Sequence, residues 1–144
     1  MTLRKSIVKP SVSIICLILT LILGIVGNYV WVTFRTGSGE IIIRKYNFLS
    51  ATIFGYGLHF PLIVIIITMS LLLLSILKLL RSSAKIRFKF LVILVVTDIV
   101  CIILPILLGM QIINIGIVCM LALLICNLIL SLSELNDEIL ATKG

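Results

Sequence analysis

Residues 89–132 read KFLVILVVTDIVCIILPILLGMQIINIGIVCMLALLICNLILSL, and this stretch decides what kind of fold the chain adopts. An apolar run of about 18 or more residues predicts a membrane-spanning helix, and about 20 residues suffice to cross a bilayer. This run is too long for one span. Residues 109–111 (Gly-Met-Gln) are the natural place for a turn, because Pro105 loosens the helix just before them. We therefore predict two adjacent spans, residues 89–108 and 112–132.

Two more runs of the same kind lie earlier in the chain, at about residues 12–32 and 58–80. Of the 144 residues, 62% are hydrophobic and 12% are charged, whereas soluble domains have about 25% charged residues. A soluble fold of this length cannot bury so much apolar surface. We therefore predict an all-α membrane protein, a single domain (residues 1–144) that forms a four-transmembrane-helix bundle.

The segment between the first two spans, residues 33–57, is the only part that looks soluble, and it carries the signals of a β-hairpin. Residues 30–34 (VWVTF) and 41–48 (IIIRKYNF) are rich in β-forming side chains, and residues 35–40 (RTGSGE) are typical of a turn. A lone hairpin is only marginally stable in water. We therefore expect this short extracellular hairpin to pack on the bundle, on lipid headgroups or on another protein.

Lysine and arginine residues are distributed unequally between the two ends of the predicted spans. Three lie at the end with the hairpin, and nine lie at the end with both termini: Arg4, Lys5, Lys9, Lys78, Arg81, Lys85, Arg87, Lys89 and Lys143. Cytoplasmic loops are rich in these residues, so we expect both termini to be cytoplasmic. The net charge of +7 is then mainly a topology signal, and we expect no nucleic acid partner. The small size and the absence of targeting signals favour a cell membrane, in particular a bacterial inner membrane.

The first span has a small or polar residue at every fourth position: Cys16, Thr20, Gly24 and Asn28. Residues four apart lie on one face of a helix, and small residues let two helices in lipid approach closely. We therefore expect this stripe to be a helix-packing face. Its neighbour is another helix of the bundle or, alternatively, a partner protein.

A carboxylate, Asp98, lies inside the third span. It follows Lys89 by nine residues, which places it about 13 Å deep and so near the middle of a hydrocarbon core about 30 Å thick. Burial disfavours the charged form, and no Lys or Arg lies at this depth. We therefore expect Asp98 to hold its proton and to donate a hydrogen bond. Thr68 and Ser70 in the second span lie at the same depth, and we predict an intramembrane polar site from these three residues.

Three roles for Asp98 remain open. It could be a polar clasp that holds the helices together, it could meet a residue of another subunit, or it could be a proton or cation site. A proton relay usually needs several titratable groups, and the other candidate, His59, lies roughly half a helix length away. Thr20 and Asn127 lie further from this level but are also candidate contacts.

The hairpin combines aromatic and basic side chains: Trp31, Arg35, Arg44, Lys45 and Tyr46. Trp and Tyr collect at membrane surfaces. One interpretation is therefore an outer aromatic belt that also includes Phe54 and Tyr56. The other interpretation is an outer recognition surface for a second protein.

Residues 27–35 (GNYVWVTFR) are locally similar to the Asn-aromatic-Trp-aromatic-Arg segment of small GtrA-like proteins. That family is associated with polyprenyl-linked sugar transfer across membranes, so the resemblance implies a lipid-linked solute. It covers nine residues, and it supports an alternative function only.

The sequence lacks catalytic motifs such as G-x-S-x-G, H-E-x-x-H and the P-loop. Glu40 is the only acid of the outer segment, whereas a hydrolase or transferase needs more than one titratable group in reach. We therefore expect a non-enzymatic protein without cofactor or metal ion, which contacts membrane lipids and either another membrane protein or further copies of itself. It would be an accessory subunit of a membrane complex or an immunity-type protein. The alternative is a small oligomeric transporter or channel for an ion or a lipid-linked solute.

Overall fold

The computed structural model of the protein describes residues 2–49, 59–80 and 88–143. Its elements are, in chain order, α1 (Thr2–Val26), β1 (Val30–Arg35), β2 (Ile41–Tyr46), α2 (Phe60–Leu80), α3 (Phe88–Leu107) and α4 (Ile115–Lys143). Some of the residues named above lie outside the described residues: Phe54, Tyr56, Arg81, Lys85 and Arg87.

The helices form one ring, in which each helix packs against its neighbours in the chain and α4 also packs against α1. Successive helices run in opposite directions, so the start of α1 and the end of α4 lie together. There, Lys9 Nζ donates to Asp137 Oδ2 at 2.7 Å. We call this end of the bundle the terminal end, and the end that carries β1 and β2 the hairpin end.

Each helix contains a segment long and apolar enough to cross a membrane: Val8–Val26, Phe60–Leu80, Lys89–Leu107 and Ile115–Asp137. The outside of the ring is covered by apolar side chains that are at least half exposed, such as Ile66, Leu73, Val100 and Ile129. Soluble proteins rarely expose apolar surface on this scale. By the length and composition of its helices, this is a multi-pass membrane protein, with the predicted four-helix bundle.

The first helix ends earlier than predicted, at Val26 and not near residue 32. Gly27 N donates to Leu23 O and closes the last turn. Val30 and Val32 then enter β1, where their side chains are buried. Their apolar side chains anchor the hairpin on the bundle. Because hydropathy does not distinguish a buried strand from a membrane helix, the predicted span extended too far.

The predicted hairpin is present between α1 and α2. β1 and β2 pair antiparallel in a register that places Trp31 opposite Lys45. Thr36 N donates to Glu40 O at 2.9 Å and closes the turn. Gly39 adopts a φ of 85° there, a conformation that residues with a Cβ atom rarely adopt.

The hairpin is held against the connection between α3 and α4. Ile112 N donates to Trp31 O at 3.0 Å, so this connection pairs with one edge of β1. The turn occurs at Gly109, which has a φ of 68°, in agreement with the prediction for residues 109–111. Further along β1, Arg35 lines the same groove as Gly109. β1 therefore runs across the hairpin end, from the start of α4 toward the end of α3.

Tyr29 lies in a tight space at this end of the bundle. A Cβ atom added to Gly27 or to Gly116 would overlap the Tyr29 ring. Asn114 Nδ2 donates to Tyr29 O at 2.5 Å, and Asn114 Oδ1 accepts a bond of 3.2 Å from Ile117 N. Asn114 is thus an N-cap of α4 that also binds the hairpin, so the hairpin and the first turn of α4 form one packed unit.

Candidate functional site

The buried polar side chains of the helices lie between the terminal end and the middle of the bundle. They come from all four helices: Ser13, Thr20, Thr68, Ser75, Asp98, Asn127 and Ser131. We call this set the polar seam. Ser75 lies about 10 Å nearer to the terminal end than Thr68, at 1.5 Å per residue of α2. The seam therefore extends from near the terminal end to Asp98, and it is the first candidate site.

Asp98 is fully buried, at 0% exposure, and contacts Thr68 across the α2–α3 interface, as predicted. Thr68 Oγ1 lies 2.7 Å from Asp98 Oδ2 and 2.8 Å from Val64 O. A hydroxyl group has only one proton to donate. Both contacts are hydrogen bonds when Asp98 holds its proton, because Asp98 then donates to Thr68 and Thr68 donates to Val64.

The other carboxyl oxygen of Asp98, Oδ1, has no hydrogen-bond partner among the described residues. A buried polar group without a partner weakens a fold unless it has another use. Since Asp98 faces the interior of the ring, a residue of another subunit cannot reach it in this arrangement. Of the three roles considered, the geometry leaves the polar clasp and the proton or cation site.

Ser70 does not join this site, so its inclusion in the prediction was wrong. It lies on the outside of α2, where its hydroxyl donates to Ile66 O at 2.8 Å. Each residue turns by about 100° around a helix axis, so Ser70 points about 160° away from Thr68. The prediction matched the depth of the side chains but not their direction.

Thr20 and Asn127 also contact groups other than Asp98. Thr20 Oγ1 donates to Cys16 O at 2.9 Å within α1. Asn127 Oδ1 accepts a bond of 2.5 Å from Ser13 Oγ, which joins α4 to α1. The seam therefore consists of separate polar contacts at different depths.

A small cavity of about 10 Å³ lies in the seam near the terminal end. This is about the volume that a single water molecule requires. Lys78 and Glu134 form its terminal side, as an ion pair with an N–O distance of 2.5 Å. The polar side chains around the cavity are Ser13, Ser75, Lys78, Asn127, Ser131 and Glu134.

The interior of the bundle between Asp98 and the hairpin is apolar. Its buried side chains are Leu21, Phe48, Val64, Ile65, Ile102, Ile117 and Met120. Within the part of the chain that the structure describes, no polar path crosses this layer. A single copy therefore offers a polar interior that is open, at most, toward the terminal end.

The helix-packing face of α1 is present but shorter than predicted. Thr20 is buried, and a Cβ atom on Gly24 would lie 2.8 Å from Ile65 Cδ1, so this face packs against α2 inside the bundle. Cys16 is half-buried. Asn28 is a correction: it lies beyond the end of α1 and is exposed, because the helix stops at Val26.

The hairpin is the second candidate site, and it pairs cations with aromatic rings. Lys45 Nζ lies 4.4 Å from the centre of the Trp31 ring, and Arg44 Cζ lies 5.8 Å from that of Phe34. Cation–π pairs contribute about 0.5–1 kcal/mol at exposed sites. They restrict the movement of two long, flexible side chains on the hairpin.

The five residues of the predicted recognition surface do not share one face. Side chains alternate along a strand, and Val30 and Val32 mark the face that is buried on the bundle. Trp31, Arg35 and Lys45 therefore lie on the opposite, outward face. By the same alternation and the strand register, Arg44 and Tyr46 lie on the bundle side.

A groove of about 440 Å³ lies between the tip of the hairpin and the α3–α4 connection. It is mostly apolar, with one cation at its rim, and its lining includes Val32, Phe34, Arg35, Ile41 and Met110. Phe34 thus contributes both to the groove and to the pair with Arg44. The sequence prediction omitted Phe34 because it treated that residue only as a β-former.

Asn114, Tyr29 and Gly116 fix the position of the hairpin, and the sequence prediction did not single out this combination. One signal was available, since Asn directly before an apolar helical run indicates an N-cap. The match between Tyr29 and Gly116 carries no local signal, because the two residues come from distant parts of the chain.

Comparison with known proteins gives no match, whether with a family model, with a curated protein or with a solved structure. The short similarity to GtrA-like proteins is therefore not extended by a wider match. Within residues 2–49, 59–80 and 88–143, no three His, Cys, Asp or Glu residues come close enough together to hold a metal ion.

Proposed function

We propose that this is a non-enzymatic integral membrane protein that acts through protein–protein contacts of its hairpin. The observation that carries the proposal is the pairing of Lys45 with Trp31 on a hairpin that is fixed to the bundle at Tyr29 and Trp31. Trp is enriched at protein interfaces and among their energetic hot spots, whereas Lys is depleted there, so Trp31 is the anchor and Lys45 holds its ring in place. The enclosed position of Asp98 supports the same choice, because Asp98 is not accessible to a partner whereas the polar side chains of the hairpin are exposed.

Two kinds of protein fit this description. One is an accessory subunit that binds a resident protein of the same membrane. The other is an immunity-type protein that shields its own membrane from a toxin. In both, we place the protein in the cell membrane, in contact with lipid, with both termini in the cytoplasm and the hairpin outside.

Cysteine labelling tests the orientation. Ser38→Cys lies in the hairpin turn and Asn136→Cys lies on the exposed side of α4 at the terminal end. An impermeant maleimide should label Ser38→Cys in intact cells and should label Asn136→Cys only after the cells are opened. The reverse pattern would place the hairpin in the cytoplasm and contradict the proposed orientation.

Affinity purification from the native membrane in mild detergent tests the function. The double variant Trp31→Ala/Lys45→Ala should lose a stoichiometric partner that the wild type retains. Lys89→Ala is the matched control, because it removes an exposed cation at the opposite end of the bundle. Loss of the partner in both variants would argue against the hairpin as the binding site.

A small oligomeric transporter or channel is the second candidate, and the free Oδ1 atom of Asp98 favours it. Because the layer between Asp98 and the hairpin is apolar, passage of an ion or solute would require several copies or a different conformation. Ion flux in proteoliposomes of the pure protein should then disappear in Asp98→Asn and persist in Ser70→Ala, whose side chain faces outward. Unchanged flux in Asp98→Asn would exclude Asp98 as a proton or cation site.

A further inference from the structure

One edge of the hairpin has no partner among the described residues. Among these residues the sheet has two strands. The edge of β1 that faces away from β2 lies next to Ile112, whose N–H bonds to Trp31 O. β2 is therefore the outer strand, and no strand within residues 2–49, 59–80 and 88–143 pairs with its other edge. Three consecutive side chains of β2 are strongly exposed, namely Ile41 (64%), Ile42 (42%) and Ile43 (51%). An exposed apolar edge strand is a template for pairing with another strand.

The hydrogen bonds of β1 identify the main-chain groups that β2 offers. Trp31 O points to Ile112 and so away from β2. Trp31 and Lys45 therefore form a pair without mutual hydrogen bonds, and such pairs alternate with bonded ones. It follows that the N–H and C=O groups of Ile41, Ile43 and Lys45 point away from β1, toward the open edge.

We propose that this edge pairs with the same edge of a second copy of the chain. The pairing rests on the proposed function, because it needs the hairpin of a membrane-anchored protein, and it adds to that function a partner for the β2 edge. In an antiparallel pair with Ile43 at the two-fold axis, Ile43 faces Ile43 of the second copy and Ile41 faces Lys45. All three outward-pointing residues of each strand then lie opposite one another, and each such pair exchanges two hydrogen bonds. Antiparallel registers shifted by two residues in either direction leave outward groups without a partner.

The charges of the hairpin are compatible with this register. Lys45 faces an isoleucine and not another cation, so no like charges lie directly opposite. Glu40, which is exposed, lies diagonally across from Arg44 of the second copy, and long side chains can bridge that diagonal. Arg44 of one copy also lies diagonally across from Arg44 of the other, so Glu40 offsets a like charge there. The edge is therefore complementary to itself in hydrogen bonding, and no like charges lie directly opposite one another.

The orientation of the strands also suits two copies in one membrane. β1 runs across the end of the bundle, along the α3–α4 connection, and β2 lies on the far side of β1 from Ile112. Two copies with parallel bundles can therefore bring their β2 edges together around an axis parallel to the helices. The product is a four-stranded sheet that spans both copies.

Cross-linking through single cysteines tests this pairing, in a background where the native Cys16, Cys101, Cys119 and Cys126 are replaced by alanine. Ile43→Cys should give a disulfide-linked dimer in membranes, since bonded antiparallel pairs have Cα atoms about 5.5 Å apart. Thr33→Cys is the control, because Thr33 lies opposite Ile43 on the same face of the same hairpin. Three strand spacings separate the two Thr33 residues of the dimer, about 14 Å, which exceeds the reach of a disulfide.

Charge substitutions provide a second readout. Ile43→Lys should convert the dimer into a monomer in native mass spectrometry or single-molecule photobleaching, whereas Thr33→Lys should not. Mixing Ile43→Lys with Ile43→Glu should restore a mixed dimer, which shows that both variants fold.

Equal cross-linking of Ile43→Cys and Thr33→Cys, or a mixture of charge variants that stays monomeric, would overturn the pairing. Cross-linking of Ile43→Cys to a different protein would overturn the second copy as the occupant but leave the proposed function intact. A dimer that forms as expected, while purification yields no other protein, would support the pairing and contradict the accessory-subunit form of the function.

Discussion

The two halves of the bundle are built from helices of similar composition, yet they are held together in different ways. Toward the terminal end, side chains of the polar seam bond from helix to helix, as in the contact of Ser13 with Asn127. Toward the hairpin end, the interior is apolar, and the contacts come from glycines, the Tyr29 ring, main-chain groups and the Asn114 side chain. In lipid, apolar side chains gain little by leaving the solvent for a neighbouring helix. Each half therefore needs its own additional source of association.

The largest effect should come from the hairpin half. Gly116→Ala should destabilise the protein by about 1–3 kcal/mol, because the added methyl group overlaps the Tyr29 ring and overpacking has costs of this order. The free energy of unfolding in mixed micelles measures this. Gly37→Ala is the control, since nothing lies within 4 Å of the corresponding Cβ position.

The Tyr29 ring itself can confirm the cause. If the overlap is responsible, Gly116→Ala should be much less harmful when it is combined with Tyr29→Ala. Additive effects of the two substitutions would show that the methyl group acts elsewhere.

An intermediate effect is expected in the middle of the bundle, where the seam ends. Thr68→Val keeps the shape of the side chain but leaves both Asp98 oxygens without a partner, which should destabilise the protein by about 1–2 kcal/mol. Ser70→Ala is the matched control on the outside of the same helix. If the two substitutions have equal effects on the free energy of unfolding, Asp98 is not a clasp between α2 and α3.

The smallest effect is expected at the terminal surface. Asp137→Asn removes the charged partner of Lys9, which also donates to Ser133 Oγ at 2.7 Å, and exposed ion pairs contribute only about 0–1 kcal/mol. The decrease in the free energy of unfolding should be near the lower limit of this range, and it should vanish in high salt, which screens exposed charges. A larger, salt-independent loss would show that Lys9 and Asp137 belong to the seam and not to the surface.

The fold was predictable because its signals are local. The spans follow from apolar runs of membrane-crossing length, and the hairpin follows from β-formers on either side of the turn at residues 35–40. The error at the end of the first span has a physical cause, since Val30 and Val32 are equally apolar in a buried strand and in a membrane helix.

The candidate site was predictable only in part. Depth in the bilayer follows from the constant rise of a helix, so Thr68 was paired correctly with Asp98. Direction around the helix axis depends on which faces meet, so Ser70 was included wrongly. Ser13, Ser75 and Ser131 escaped notice because each is a single small residue on its own helix, and only the assembled ring brings them around one cavity.

The bonds of Asn114 have a consequence for the order in which the molecule is made. The hairpin leaves the ribosome early, but the residue that binds Tyr29 follows it by 85 positions. At a synthesis rate of about 5–20 residues per second, that interval is roughly 4–17 s. During this time, the hairpin segment can contact α1, through the bond from Phe48 N to Gly24 O, but not the α3–α4 connection. The hairpin can therefore dock on these groups only after α3 and the α3–α4 connection have been made.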